Sequence, residues 1–340
     1  MQKLNILVAG SSGYIGIELV KLLLKHKGVK IKYLCGNSSI GRSISFYDPF
    51  FKNKKLPKII KFNEKLLNDI DIIFTALPNG EAQKISNKLK DHNTLIDLSA
   101  DFRLRNAKTY LKYYKKKHLA IKNIKNSIYA LPEIKNKKIK NFKIIGCPGC
   151  YPTSILLPLI PLLKKNIISN KNIIIDSKSG YSGAGRGVHK KFKNKNLYES
   201  LSVYGIKTHR HNSEIQQELN IASRKKVEFT FTPHLSPMFR GILSTIYIEV
   251  NKNVSQNKIK KVLSDFYKND IFIKILKNDN LISTNDVINT NKCHISVCKT
   301  RNKNKFVILS AIDNLIKGGS GQGVQNMNLR FGFPLKAGLI

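Results

Sequence analysis

The sequence predicts an α/β protein in two parts: a doubly wound parallel sheet, then an α+β domain on a mixed or antiparallel sheet. Three observations carry this. Up to about residue 150, short apolar runs alternate with helix-period segments, the pattern of strand–helix–strand crossovers. Beyond about residue 165 the apolar runs lengthen or alternate with period two, as strands of an antiparallel sheet do. The 340 residues also suffice for two cores at the usual ~100–200 residues per domain.

In chain order, LNILVAG (4–10) reads as a buried strand, SSGYIG as its turn, and IELVKLLLKH as an amphipathic helix. VKIKYLCG (29–36) is a second strand. DIDIIFTALP (69–78) and NTLIDLSADF (93–102) follow as strands, with EAQKISNKLK helical between them. SILLPLIPLL, just after Cys150, begins a buried helix. NIIIDSKSG, VEFTFTPHL, GILSTIYIEV, KCHISVCKT and FVILSAIDNL supply the second sheet, and QGVQNMNLRFGF closes the chain as one helix. There is no internal repeat and no linker of disordered composition.

Composition narrows the function. Hydrophobic content is 41%, and no window reaches the ~18 uninterrupted apolar residues of a membrane span. MQKLNILVAG runs straight into a strand, so neither a signal peptide nor membrane attachment is expected and a cytoplasmic protein is. Five cysteines, an odd number, suit reduced thiols rather than a disulfide framework. The net charge of +39 invites a nucleic-acid reading. Its lysines, however, are spread along the chain beside Asn and Ile, with no dense arm, zinc-finger spacing or aromatic RNA-binding signature. Specific nucleic-acid binding is therefore not expected; attraction of anionic small molecules is.

Two motifs carry chemistry. Gly10, Ser12, Gly13, Tyr14, Ile15 and Gly16 lie in a G-x-x-G-x-x-G turn between strand and helix. There backbone N–H groups can approach a pyrophosphate at the positive helix end. An NAD site would place Asp or Glu about 20 residues on. Here the second strand ends in Cys35-Gly36-Asn37-Ser38-Ser39 with Arg42 close behind. Ser38 and Arg42 suit a 2′-phosphate, so NADP(H) is the expected cofactor. The second motif, IIGCPGCYPTSILLPL (144–159), holds Cys147 and Cys150. A redox pair would follow the first strand of a thioredoxin-like unit, and zinc would require a second pair, which Cys293 and Cys298 match poorly. Cys150 precedes a buried helix whose dipole favours a thiolate. It reads as one nucleophile, with no metal.

GSSGYIG, FTALPNGEA, DLSADFRL, YALPE, CPGCYPT, SGYSGAGR, THRHNSEI, TPHLSPMFRGIL and GGSGQGVQNMNLRFGFP, in this order from end to end of the chain, resemble N-acetyl-gamma-glutamyl-phosphate reductase. The resemblance places the catalytic cysteine on Cys150. Many members carry Asn where this chain has Cys147 and a small residue such as Ala at Ser154; Cys147 is read as a packing variant. The resemblance implies a semialdehyde-dehydrogenase-like fold with residues 1–149 and 316–340 as the NADP-binding Rossmann domain and 150–315 as the catalytic and oligomerisation domain. The boundary falls at the cysteines, and clefts between domains are where ligands bind. It further implies a homo-oligomer, dimer or tetramer, catalysing the third step of arginine synthesis through a cysteine thioester. The nearest alternative is a related acyl-phosphate reductase acting on aspartyl phosphate or a carrier-linked aminoadipyl phosphate. A redox-sensing or nucleic-acid-binding dinucleotide protein is the alternative of another class.

Such chemistry needs a base beside the thiol. Among eight histidines, His211 is favoured, with Glu214 on the same helical face to orient it; His234 is second, and His209 is read as lining the site. Anions need cations: Arg103 for the phosphate, and Arg186, Arg210 or Arg240 for the substrate carboxylate. Gly180, Ser182 and Gly183 form a loop that can approach the nicotinamide or acyl group. Asn314 is expected to bond the carboxamide, and Pro78 and Ser99 to border the cofactor.

Overall fold

The structure, a computed structural model, describes residues 3–135, 138–187, 198–251, 253–277 and 280–340. Its chain forms two compact units, Met1–Pro148 with Gly319–Ile340, and Gly149–Gly318.

The first unit contains β1 (Leu4–Ala9), α1 (Tyr14–Lys25), β2 (Val29–Cys35), β3 (Ile59–Ile60), β4 (Ile72–Thr75), α2 (Glu81–Ser86) and β5 (Thr94–Asp97). It continues through α3 (Ala107–Tyr114), α4 (Ile121–Lys125), β6 (Ser127–Tyr129), α5 (Pro132–Lys135) and β7 (Ile144–Gly146). The strands form one sheet in the order β3-β2-β1-β4-β5-β7-β6, parallel throughout. A parallel sheet covered on both faces requires strands that are apolar without alternation. Accordingly Ile6, Leu7 and Val8 in β1 and Ile72, Ile73 and Phe74 in β4 are fully buried. The closing helix Gly321–Phe331 returns to this unit. Gly323 lets it approach closely, since a Cβ there would stand 3.3 Å from the Phe74 ring.

Two departures from the sequence reading have physical causes. The strands expected over 69–78 and 93–102 shrink to four residues each, because side chains take the backbone donors beyond them: Asp97 accepts from Ser99 N and Phe102 N, and Ser99 Oγ from Leu77 N. The three-residue strands β6 and β7 were not anticipated: each is too short, among Lys and Asn, to show a period.

The second unit opens with α6 (Cys150–Lys164). Its sheet comprises β8 (Ile173–Gly180), β9 (Ser202–Val203), β10 (Phe229–Ser236), β11 (Ile242–Glu249), β12 (Ile273–Ile275), β13 (Cys293–Lys299) and β14 (Lys305–Ile312). Their order is β12-β13-β14-β11-β8-β10-β9. The sheet is mixed: β8–β10 and β12–β13 are parallel, the other pairs antiparallel. α6 packs with the helices His211–Ser223 and Gln256–Phe266 over one face. On the opposite face of β8, β10 and β11, Ile174, Thr230 and Tyr247 are exposed, which produces the period-two pattern.

Residues 151–163 of α6 are all buried, so the helix is apolar around its whole circumference. It nevertheless contains Pro158 and Pro161, and proline removes the N–H that the carbonyl four residues earlier would accept. For Pro161 that carbonyl belongs to Leu157, and the Tyr267 hydroxyl donates to it at 2.6 Å. A side chain thus satisfies the acceptor the proline orphaned.

Candidate active site

In the first unit the glycine turn is set by sterics. Gly10 has φ +88°, and a Cβ there would lie 2.2 Å from the Ala76 carbonyl oxygen. At Gly16 a Cβ would lie 2.2 Å from Gly10 O, so both positions exclude a side chain. Gly13 is the N-cap of α1 and makes no side-chain cap, leaving the helix start to bind through its backbone. Tyr14 and Ile15 begin α1, half-buried. Ser12 donates to Ser39 Oγ at 3.2 Å, linking the turn to the end of β2.

Beyond β2, Ser38 and Arg42 are exposed, and the Arg42 guanidinium lies 4.4 Å over the Phe46 ring. No carboxylate stands at the end of β2. A cavity of about 500 Å³ opens there, lined by Ala9, Gly36, Asn37, Phe62 and Leu77 among others. Pro78 is exposed after β4, while Ser99 is buried and accepts from Leu77 N at 2.8 Å. A glycine cradle, an uncapped helix start and an adjoining cavity, apolar at Ala9, Phe62 and Leu77 and charged at Lys61, Glu64, Glu81, Lys84 and Lys88, fit a nicotinamide dinucleotide.

Two residues here hold the frame. Arg103 is 7% exposed and donates to Cys147 O (2.7 Å) and Leu98 O (3.2 Å), so part of its guanidinium is committed to backbone. Cys147 is fully buried, 3.4 Å from Asn326 Nδ2, and burial pushes its thiol up to about 12. A thiol so shifted stays protonated near neutral pH.

In the second unit Cys150 is the first residue of α6, and Gly149 before it makes no side-chain cap. Cys150 is partly exposed. Glu214, fully buried, accepts from Gly149 N at 2.7 Å, so its carboxylate steadies the turn that presents the thiol. His211 opens its helix and is 6% exposed. Its backbone N–H donates to His209 Nδ1 at 3.1 Å, and the two rings meet edge-on at 4.7 Å. Both contact the Tyr151 ring, at 5.5 Å (His209) and 5.9 Å (His211). Cys150, His209, His211 and Glu214 therefore gather around the start of α6.

Tyr204 joins this cluster and was missed by the sequence reading. Its hydroxyl lies 3.1 Å from that of Tyr151, and burial pushes it up to about 12, so it remains a proton donor. The only signal was its place four residues before THRH.

His234 occupies the other side of the sheet. Ser154, Ser244 and Ser177 are hydrogen-bonded in a row on the α6 face, and Asp176 alternates with Ser177 onto the opposite face. His234 Nδ1 is 3.3 Å from Asp176 Oδ1, on that face.

Among the remaining candidates, Gly180 lies where a Cβ would come within 2.6 Å of Phe239 O. Ser182 is buried and Gly183 exposed. Asn314 donates to Ser182 Oγ (3.0 Å) and accepts from Gly241 N (2.7 Å); the amide expected to meet the nicotinamide ties two loops together. Arg186 and Arg210 are exposed. Arg240 is held by Asp313 and Asn289. No cluster that could hold a metal ion occurs among the described residues, and none of their helices is long and apolar enough to cross a membrane.

Residues 5–142 match the family model "Semialdehyde dehydrogenase, NAD binding domain", and residues 150–314 match "Semialdehyde dehydrogenase, dimerisation domain". The chain is 43% identical over 329 residues to the N-acetyl-gamma-glutamyl-phosphate reductase of Thermoanaerobacter pseudethanolicus, covering 96% of this chain and 94% of that one. It is 41% identical over 335 residues to a probable chloroplastic N-acetyl-gamma-glutamyl-phosphate reductase of Arabidopsis thaliana, covering 97% and 82%. Among solved structures, aspartate semialdehyde dehydrogenase II from Vibrio cholerae superposes with TM-score 0.72 at 15% identity, over 98% of this chain and 99% of that one. The Candida albicans aspartate semialdehyde dehydrogenase with NADP does so with TM-score 0.68 at 16% identity, over 99% of each.

Proposed function

The chain belongs to the N-acetyl-gamma-glutamyl-phosphate reductase family, oxidoreductases of arginine biosynthesis, and from this membership we propose its reaction and the residues that perform it. N-acetyl-L-glutamyl 5-phosphate is reduced to N-acetyl-L-glutamate 5-semialdehyde with release of phosphate, in the cytoplasm, by a homo-oligomer. NADPH is the cofactor, on the strength of exposed Ser38 and Arg42 and the absence of a carboxylate at the end of β2.

Cys150 attacks the acyl carbon as a thiolate and expels phosphate, leaving a thioester. Its place at the N-terminus of a fifteen-residue helix favours the anion. His211 accepts the thiol proton. Glu214, three residues on, favours the resulting imidazolium and keeps Gly149 in place through its hydrogen bond. A nicotinamide dinucleotide held at the Gly10–Gly16 turn would supply the hydride that reduces the thioester carbonyl. The alkoxide so formed collapses to aldehyde, and the thiolate returns to Cys150. Arg103 is the proposed cation for the phosphate, and Arg186, Arg210 and Arg240 for the substrate carboxylate.

The observation that carries this reading is the convergence of Cys150, His209, His211 and Glu214 at the start of α6. Cys150→Ser tests it: turnover is expected to fall at least about a thousandfold, the range for loss of a nucleophile, with NADPH affinity unchanged. Retained turnover would remove the thioester mechanism.

A further inference from the structure

Asp313 and Asn314 follow β14 and are 0% and 2% exposed. A buried carboxylate is costly unless its acceptor sites are filled, and those of Asp313 are. Oδ1 accepts from Leu315 N (2.8 Å) and Ile316 N (3.0 Å). Oδ2 accepts from Asn289 N (2.7 Å) and from Arg240 Nη1 (3.2 Å). The Asp313 carbonyl also accepts from Gly318 N at 2.8 Å, so one residue closes the turn 313–318 with both side chain and backbone.

That turn ends on the nucleophile. A Cβ on Gly318 would stand 2.7 Å from Cys150 Cβ and 3.0 Å from Cys150 Cα, so the Gly318 backbone rests directly on the cysteine. The other oxygen of the same carboxylate holds Arg240, whose side chain is 14% exposed. Asn314 extends the arrangement by tying Gly241, the neighbour of Arg240, to Ser182.

We propose that Asp313 is a positioning residue for the reaction: its single carboxylate fixes Arg240 with one oxygen and, with the other, the turn that seats Gly318 against Cys150. The substrate arm of this inference rests on the function proposed above, in which Arg240 meets the substrate carboxylate; the thiol arm does not. A shift of Asp313 therefore disturbs substrate affinity and thiol reactivity together, although it touches neither substrate nor sulfur.

The experiment uses the whole 340-residue chain. Asp313→Asn keeps the shape but weakens the hold on Arg240 and on the turn. Three quantities are read: KM and kcat for the acylated substrate, and the pH profile of Cys150 alkylation by iodoacetamide without substrate, against a Cys150→Ser background. The expected result is a KM raised at least about tenfold and an alkylation profile displaced from wild type. Arg240→Gln should raise KM alone, and Gly318→Ala should alter alkylation. Unchanged KM and alkylation in folded Asp313→Asn, or a loss of kcat that only tracks the folded fraction, would overturn the proposal.

If Asp313→Asn does not fold, Asp313→Glu serves, because it keeps the charge while pushing the turn. Its alkylation profile should move more than its KM, and an unmoved profile would overturn the proposal. Wild-type protein inactive on the acylated substrate would sink the function reading instead, while the alkylation arm would still read the role of Asp313.

Discussion

Cys147 and Cys150 lie three residues apart in sequence yet occupy chemically opposite places. One is sealed beside Asn326, its thiol pushed up to about 12 by burial; the other opens a helix and is partly exposed. Spacing alone left several readings of the pair, and burial separates them. Cys147→Asn is therefore expected to keep activity within about threefold of wild type, since it replaces an un-ionised buried thiol by a group of similar size. A dead variant with an intact fold would revive the paired-thiol chemistry. Other parts of the site were legible at this scale because they are local. His211 and Glu214 share a helical face through their spacing, and the glycines at 10 and 16 announce a turn that tolerates no Cβ. The acceptor role of Glu214 toward Gly149 was not, because its partner is 65 positions away. Tyr204 escaped for the same reason, its hydroxyl partner Tyr151 lying 53 positions off.

At the scale of elements, apolar periodicity marked the long strands and helices, because burial on one face or two leaves a pattern in the residues that are buried. It does not mark strands of three residues such as β6 and β7, nor does it show how a helix accommodates two prolines. α6 depends on Tyr267, whose hydroxyl reaches the Leu157 carbonyl across 110 positions. Tyr267→Phe would leave that carbonyl buried without its donor, a cost of about 1–3 kcal/mol. Thermal unfolding should show a Tm lower by a few degrees, with the Cys150 end of the helix still functional. An unchanged Tm would mean that Pro161 is accommodated by some other means.

For the whole molecule, charge and buried imidazoles act together. The net charge is +39 before any histidine is protonated. His26, His118 and His294 all sit below the usual 6.5, chiefly because burial disfavours the charged ring. The unfolded chain then binds protons that the folded chain refuses. Stability is present above about pH 6.5 and falls as the pH drops below it. Melting curves between about pH 7.5 and about pH 5.5 should show Tm declining, and a Tm that rises toward acid would contradict this assignment. The fold itself, a parallel sheet and a mixed sheet, is shared with enzymes whose names specify a different semialdehyde, so architecture alone does not choose the substrate. The reverse reaction distinguishes the substrates: reduction of NADP by the purified protein with phosphate, offered N-acetyl-L-glutamate 5-semialdehyde and aspartate semialdehyde in parallel. Phosphate-dependent turnover with the acetylated compound alone is the expected result. Turnover with the aspartyl compound alone would contradict the substrate while keeping the Cys150 chemistry, and silence with both would contradict the account as a whole.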